Sequence, residues 1–290
     1  MKVDENPNSD SNPQNNVLKM FDISGRVALI TGGAGLLGMQ HAQAIIESGG
    51  IPVLIDINQD ALSSAQNFFN EKFPKKEILV LKVNITKKDE VMKMVQDVIA
   101  RYGRIDILIN NAANNPKMES KKGSNWSHFE NFPLEVWTQD IEVGLTGAFL
   151  CSQAVIPIML KQKKGVIVNV ASDLGIIAPD QRIYRLPGMT SETQPYKPPT
   201  YCAVKGALIS LTRYLATYYA TKNIRVNTLT PASVLNGQDP EFVKNISNLI
   251  PMGRMSNKHE FKAALLYLVS DASTYVTGSN IVIDGGRTAW

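Results

Sequence analysis

Tyr201 and Lys205 stand four positions apart in the stretch "PTYCAVKG" (199–206), at the head of an apolar-periodic segment. Side chains at i and i+4 share one face of a helix, so the phenol and the ammonium would point into the same space. A free phenol has a pKa of about 10 and is a poor base at neutral pH. A cation one turn away favours the phenolate and makes the pair a candidate general acid–base group. Five residues of common types are equally what an ordinary surface helix shows, so the pair by itself leaves both readings open. A second stretch, "ITGGAGLLG" (30–38), lies between an apolar run and a helical pattern. Glycines there allow a tight turn and close backbone approach, and the following helix N-terminus offers N–H groups to an anion such as a pyrophosphate. The next apolar run ends in Asp56, spaced to meet the ribose hydroxyls of NAD and to repel the 2′-phosphate of NADP, though a helix N-cap also fits it.

The elements needed to position these residues are legible in the same pattern. "RVALIT" (26–31), "IPVLIDI" (51–57), "EILVLKVNI" (77–85), "IDILINNAA" (105–113), "GVIVNVAS" (165–172), "NIRVNTLTP" (223–231) and "SNIVIDGG" (279–286) read as strands. Helical periodicity fills 39–49, 59–73, 87–103, about 133–163, 201–221 and 258–270. Strands that are continuous apolar runs imply burial on both faces, and their alternation with helices predicts an α/β, doubly wound, mostly parallel sheet. Residues 1–19 are rich in Asn, Asp, Ser and Pro and are expected to form a disordered tail before a single domain over 20–290. Hydrophobic content of 44% with 19% charged residues is that of a globular chain able to bury a core. The net charge of +4 comes from scattered short lysine clusters such as "KQKK" (161–164), which read as solvated ends and not as a nucleic-acid face. Two cysteines and three histidines show no paired or ligand spacing, so no disulfide framework and no metal site are expected. With no recognisable membrane span or secretory leader, the expectation is a soluble cytoplasmic protein.

Taken in order, the loop "TGGAGLLG" (31–38), "NNAA" (110–113), Ser172 ending the fifth strand, "YCAVK" (201–205) and the closing "IDGG" (283–286) resemble the short-chain dehydrogenase/reductase family over about residues 20–290. The resemblance implies a Rossmann-type fold of about seven strands. It also implies an NAD(H)-dependent oxidoreductase interconverting a secondary alcohol and a ketone, and a homo-oligomer, tetramer or dimer. It assigns Tyr201 as the acid–base on the substrate oxygen, Ser172 as a hydrogen-bond partner of that oxygen, and Lys205 as a contact of the nicotinamide ribose. Cofactor contacts carried over are Gly32, Gly35, Leu36, Leu37, Gly38, Asp56, Asn84, Ile85, Asn110, Ala112, Tyr201, Lys205 and, in the loop "PASV" (231–234), Val234.

Several positions depart from the family pattern. Leu36 takes the middle glycine place of the loop and Gly35 sits one place early, while Ala113 and Ala232 each replace a usual glycine. Gly144 stands where the family has an asparagine that holds a proton-relay water. A glycine could keep the helix break and the carbonyl found there, and asparagine would be expected to fit back with little change in stability. The opposite reading is a dinucleotide-binding protein that has lost turnover. Ser172 and Tyr201 are 29 positions apart, far more than is usual, because of an insert over about 178–199 that enters where substrate should sit. Its Arg182 and Arg185 suit an anionic or polyhydroxylated ligand. The run "APDQRIY" with the tail "DGGRTAW" is similar to a subgroup found among surface-sugar and flagellin-modification genes, which implies a sugar or amino-sugar substrate.

Overall fold

In the computed structural model, which describes residues 16–76, 78–114 and 125–290, the apolar runs form one seven-stranded parallel sheet. The strands are β1 (Val27–Thr31), β2 (Ile51–Asp56), β3 (Leu79–Lys82), β4 (Ile107–Asn110), β5 (Gly165–Val170), β6 (Ile224–Pro231) and β7 (Asn280–Ile283), in the order β3-β2-β1-β4-β5-β6-β7. Successive side chains leave a strand on opposite faces. Leu29, Val53, Leu108 and Ile167 enter one core layer, while Ile30, Leu54, Ile109 and Val168 enter the other. Every residue of β1, β4, β5 and β6 is buried, which is why these strands lack an alternating pattern. The edge strand β3 is shorter than its apolar run and only partly covered.

A short turn of helix, α1 (Val17–Met20), precedes the sheet, with the Asn16 side chain accepting from the Leu18 and Lys19 N–H groups. Its residues 17–19 fall inside the stretch read as a tail, of which residues 1–15 lie outside the described residues. The remaining helices are α2 (Leu36–Glu47), α3 (Gln59–Lys72), α4 (Lys88–Tyr102), α5 (Leu134–Ile141), α6 (Gly147–Gln162), α7 (Pro199–Tyr219), α8 (Pro240–Ser247) and α9 (Lys262–Val269). Helices α4, α6 and α7 cover one face through Met94, Val98, Val155, Met159 and Leu215; α2, α3 and α9 cover the other through Ile45, Leu62, Phe69 and Leu265. The continuous helical stretch Leu134–Gln162 is long and apolar enough by composition to cross a membrane, yet Cys151, Val155 and Met159 are fully buried in the core beside the sheet. Helix α8 was not expected from periodicity. Its start is nevertheless written in the sequence, since the Asp239 carboxylate caps the Glu241 and Phe242 N–H groups and Pro240 occupies the first turn.

The chain reverses direction of build between β1, flanked by β2, and β4, so the crevice at their carboxyl ends is where an α/β sheet takes its ligand. Beneath that crevice α2 carries His41, fully buried. Burial pushes its imidazole down to about 4, with the Asn111 side chain acting the other way. Below pH 6.5 the unfolded chain binds a proton that the native imidazole refuses until about pH 4, so stability should be lost as pH falls through that window. We expect the acid slope of the unfolding free energy between pH 6.5 and 4 to be shallower in His41→Leu than in wild type, by up to about 1.4 kcal/mol per unit. Equal slopes in denaturant melts at several pH values would refute this.

Candidate active site

The glycine loop turns directly against the end of β4. Gly32 has φ +62°, and a Cβ there would lie 2.9 Å from the Ala112 Cα. At Gly38 a Cβ would lie 2.2 Å from the Gly32 carbonyl oxygen, so the first turn of α2 is pressed onto the loop. Gly35 precedes α2 in extended conformation without a side-chain cap, which leaves the N–H groups of Leu36, Leu37 and Gly38 free of a capping side chain and aimed out of the helix. The displaced glycine, with Leu36 after it, therefore keeps the helix N-terminus that an anion requires. Asp56 ends β2 beside this loop, its Oδ2 accepting from the Ala34 N–H at 3.3 Å and its Oδ1 from the Asn58 N–H at 3.1 Å. A cradle that no Cβ could enter, uncapped helical N–H groups and a carboxylate at the neighbouring strand end fit a dinucleotide with free ribose hydroxyls.

The other residues carried over from the family divide into two groups. Ala112, Asn84 and Val234 lie at the carboxyl edge, with Asn84 Oδ1 accepting from the Thr86 N–H and Oγ1, and Val234 bridged to Ser256. Ile85 is buried against Gly147. The Asn110 side chain turns inward. Its Nδ2 donates to Asn169 Oδ1 at 2.8 Å and Ser152 Oγ at 3.1 Å, leaving the backbone as its means of meeting a cofactor. The amide that pins the loop belongs to its neighbour: Asn111 Nδ2 donates to the carbonyls of Thr31 and Gly32 at 3.0 and 3.1 Å. Asn111 was missed because the motif "NNAA" offers two adjacent amides, and strand pleating alone decides which one faces the crevice.

Ser172, Tyr201 and Lys205 come together where the turn after β5 meets α7. Ser172 Oγ donates to Asp173 Oδ1 at 2.8 Å and accepts from the Leu174 N–H. Burial pushes the Tyr201 phenol up to about 12, against a lowering hydrogen bond with Ser172. The expectation that Lys205 depresses the phenol is thus outweighed by desolvation in the protein itself. Lys205 is buried, pushed down to about 8 chiefly by that burial, and donates from Nζ to the Val170 carbonyl at 2.7 Å. Behind the serine, Arg287 Nη1 donates to Asp173 Oδ2 at 2.6 Å, a fully buried ion pair that ties the C-terminal turn to the catalytic candidates. The sequence pattern marks Ser172 and the tail "DGGRTAW" but not Asp173, whose partner Arg287 is 114 positions away.

Gly144 sits within a single π-helical turn, Glu142–Thr146, that separates α5 from α6, so the expected helix break is present. A Cβ at 144 would lie 2.5 Å from Val204 Cγ1, and Val204 is itself inside the "YCAVK" motif on α7. The valine therefore occupies space that a side chain at 144 would need. A water-sized cavity lies among Ala113, Asp140, Gly144, Tyr201 and Lys205. Asp140 on α5 accepts a short hydrogen bond from Thr200 Oγ1, fixing α5 against the start of α7.

The insert is ordered by its own polar contacts and by α8. Ile183 and Tyr184 pack with Phe242, Ile246, Ile250 and Met255 in a small satellite core. Arg182 turns to solvent and forks onto Asp180, and Arg185 donates from Nε to Gln194 Oε1 at 2.7 Å. Neither guanidinium is the group that the insert lays against Tyr201. That group is the Lys197 ammonium, whose Nζ lies 3.8 Å from the centre of the Tyr201 ring.

Comparison with known proteins agrees with this architecture. The chain matches the short chain dehydrogenase family over residues 26–184 and the family described as enoyl-(acyl carrier protein) reductase over 188–288. An NAD-dependent glycerol dehydrogenase of Listeria innocua is 34% identical over 93% of this chain and 96% of its own. Post-translational flagellin modification protein A of Campylobacter coli is 27% identical over 91% of this chain and 98% of its own. Among solved structures, an NAD+-bound xylitol dehydrogenase superposes with a TM-score of 0.77 at 28% identity, over 91% of this chain and 99% of its own.

The Val204 contact corrects the expectation that asparagine fits at 144 without cost. Valine in a helix has one strongly preferred rotamer and gives way poorly. Gly144→Asn should lower the unfolding free energy by about 1–3 kcal/mol, the usual cost of overpacking. The double variant Gly144→Asn/Val204→Ala should recover most of that loss in denaturant melts. A single variant as stable as wild type would show that Val204 does not fill this space.

Proposed function

We propose that this chain, which belongs to the short-chain dehydrogenase/reductase family, interconverts a secondary alcohol and a ketone on a polyol or sugar derivative with NAD(H). The observation that carries the reading is the meeting of Ser172 and Tyr201, one helical turn from Lys205, beside the glycine cradle at the carboxyl edge of the sheet. Bound NAD would supply the hydride acceptor. In the oxidative direction Tyr201 takes the hydroxyl proton of the substrate, and in the reductive direction it returns that proton to the ketone oxygen. Ser172 orients the same oxygen, its hydroxyl held in place by Asp173. Lys205 would hold the ribose of the nicotinamide half and adds positive charge near the phenol.

Asp56 supports the choice of NAD over NADP, because its carboxylate at the loop would face a 2′-phosphate of like charge. The glycerol and xylitol specificities named for the relatives support a polyhydroxylated substrate, and the flagellin-modification relative supports a sugar derivative. The assembly proposed is a cytoplasmic homo-oligomer, tetramer or dimer. A second reading, a dinucleotide-binding protein without turnover, draws on Gly144, which has no side-chain amide to hold a relay water.

Fluorescence titration should show NADH binding at least about tenfold more tightly than NADPH, a difference of about 1.4 kcal/mol. Equal affinities would remove the Asp56 assignment. Tyr201→Phe should lower turnover by on the order of 100-fold on any polyol or sugar the wild type accepts, with cofactor affinity nearly unchanged. Full activity in that variant would refute the mechanism, and NADH binding with no turnover across a polyol and sugar-derivative screen would favour the second reading.

A further inference from the structure

The nearer ammonium to the Tyr201 ring is not that of the motif lysine. Lys205 Nζ lies 5.8 Å from the ring centre and donates to a carbonyl, whereas Lys197 Nζ lies 3.8 Å from it. Lys197 is buried, and its backbone is held on both sides. Its N–H donates to Gln181 Oε1 at 2.8 Å, and Gln181 Nε2 donates back to the Lys197 carbonyl at 3.3 Å. Gln194, only 2% exposed, donates in turn to the Gln181 carbonyl at 2.8 Å. The preceding residue is tied down as well, the Tyr196 N–H donating to the buried Ser127 Oγ at 3.0 Å. Pro198 and Pro199 then stiffen the passage into α7, with Pro199 opening the helix that carries Tyr201. Two interlocked amides, a buried serine and two prolines give the insert one well-defined geometry at this lysine.

We propose that Lys197 is a positioning residue of the active site, a second cation laid on the ring of Tyr201 that favours the phenolate. The step it assists is the loss and recovery of the Tyr201 proton, so the inference rests on the reading of Tyr201 as the acid–base group. A cation over an aromatic face is attracted by the neutral ring, and ionisation adds a full negative charge to the same centre. The need for it is visible in the surroundings. Burial pushes the phenol up, Asp173 and Cys202 push the same way, and the Ser172 hydrogen bond acts against them. Lys197 can keep its own proton near neutral pH. Burial lowers it to about 8, but Cys202, Asp173 on the turn after β5 and Asp140 on α5 act to raise it. Tyr184 from the insert faces the same centre, and Lys205 shares it at the expense of mutual repulsion between the two ammonium groups. The insert thus contributes a charge to the catalytic tyrosine, where the sequence pattern suggested arginines for the substrate.

The test reads Tyr201 directly and needs no substrate. The ultraviolet absorbance of tyrosinate is titrated in wild type and in Tyr201→Phe, and the difference between them isolates the Tyr201 transition. The same pair of titrations is run in Lys197→Met and Lys197→Arg backgrounds. The expected result is a Tyr201 transition lower by about one pH unit or more in Lys197→Arg than in Lys197→Met, because the guanidinium keeps its charge where the phenol titrates, whereas the Lys197 ammonium, pushed down to about 8, has by then lost its proton. On a substrate turned over by the wild type, Lys197→Met should lower kcat by about tenfold near pH 7, where Lys197 keeps its proton, with KM little changed, and Lys197→Arg should recover it. If Lys197→Met does not fold, Lys197→Gln, which keeps a polar side chain, takes its place in the same comparison. A Tyr201 transition at the same pH in Lys197→Arg and Lys197→Met, even with a lower melting temperature, would overturn the proposal and leave Lys197 as a partner of Asp140 and Asp173. An enzyme inactive on every polyol and sugar tested would refute the proposed function while leaving the titration free to decide on Lys197.

Discussion

The site depends on how closely the backbone of α7 approaches the turn after β5. Gly175 makes that approach possible: a Cβ there would lie 2.7 Å from the Lys205 carbonyl carbon and 2.9 Å from the Gly206 nitrogen. Because no side chain intervenes, Ser172 and Tyr201 come within hydrogen-bonding reach and Lys205 can donate to the Val170 carbonyl at the end of β5. The same helix is anchored at its start by Thr200 on Asp140 and along its length by a buried chain of Asn169, Thr212 and Thr228 hydroxyl and amide groups. Helix and sheet are therefore held in one register, and the catalytic candidates follow from that register more than from any contact among themselves.

Departures from the family pattern at 144 and in the insert are each met by packing of their own. The side chain missing from Gly144 is matched by Val204 on the facing helix, so the helix break survives with a water-sized cavity beside Lys205. Above it, the insert does not float over the crevice. It rests on α8 through an apolar cluster in which the Tyr184 and Phe242 rings lie 5.4 Å apart. A long connection becomes an ordered wall only when it acquires such a core of its own.

Around Tyr201 the structure concentrates charge that a core would ordinarily exclude. Asp140, Asp173, Lys197, Lys205 and Arg287 are all buried. Isolated, each would cost several kcal/mol to desolvate; paired, the set approaches neutrality. Asp173 is the hub, accepting from both Ser172 and Arg287. Such a cluster stabilises the fold weakly at best, and its value lies in the geometry and electrostatics it imposes on one phenol.

Much of this was legible in the sequence. Continuous apolar runs alternating with helical periodicity determined the doubly wound sheet, because burial on both faces leaves no other composition for a parallel strand. The glycine loop, the acidic end of β2 and the Tyr201–Lys205 spacing lie within single elements, where local periodicity fixes which residues share a face. The tertiary structure alone decided that Asn111, and not Asn110, holds the loop, that Arg287 reaches Asp173, that Val204 answers Gly144, and that Lys197 of the insert meets the Tyr201 ring. Each of those contacts depends on pleat direction, on a packing distance between separate helices or on the path of a long connection. Such quantities arise only when elements dock, and residue types and spacings along the chain do not contain them.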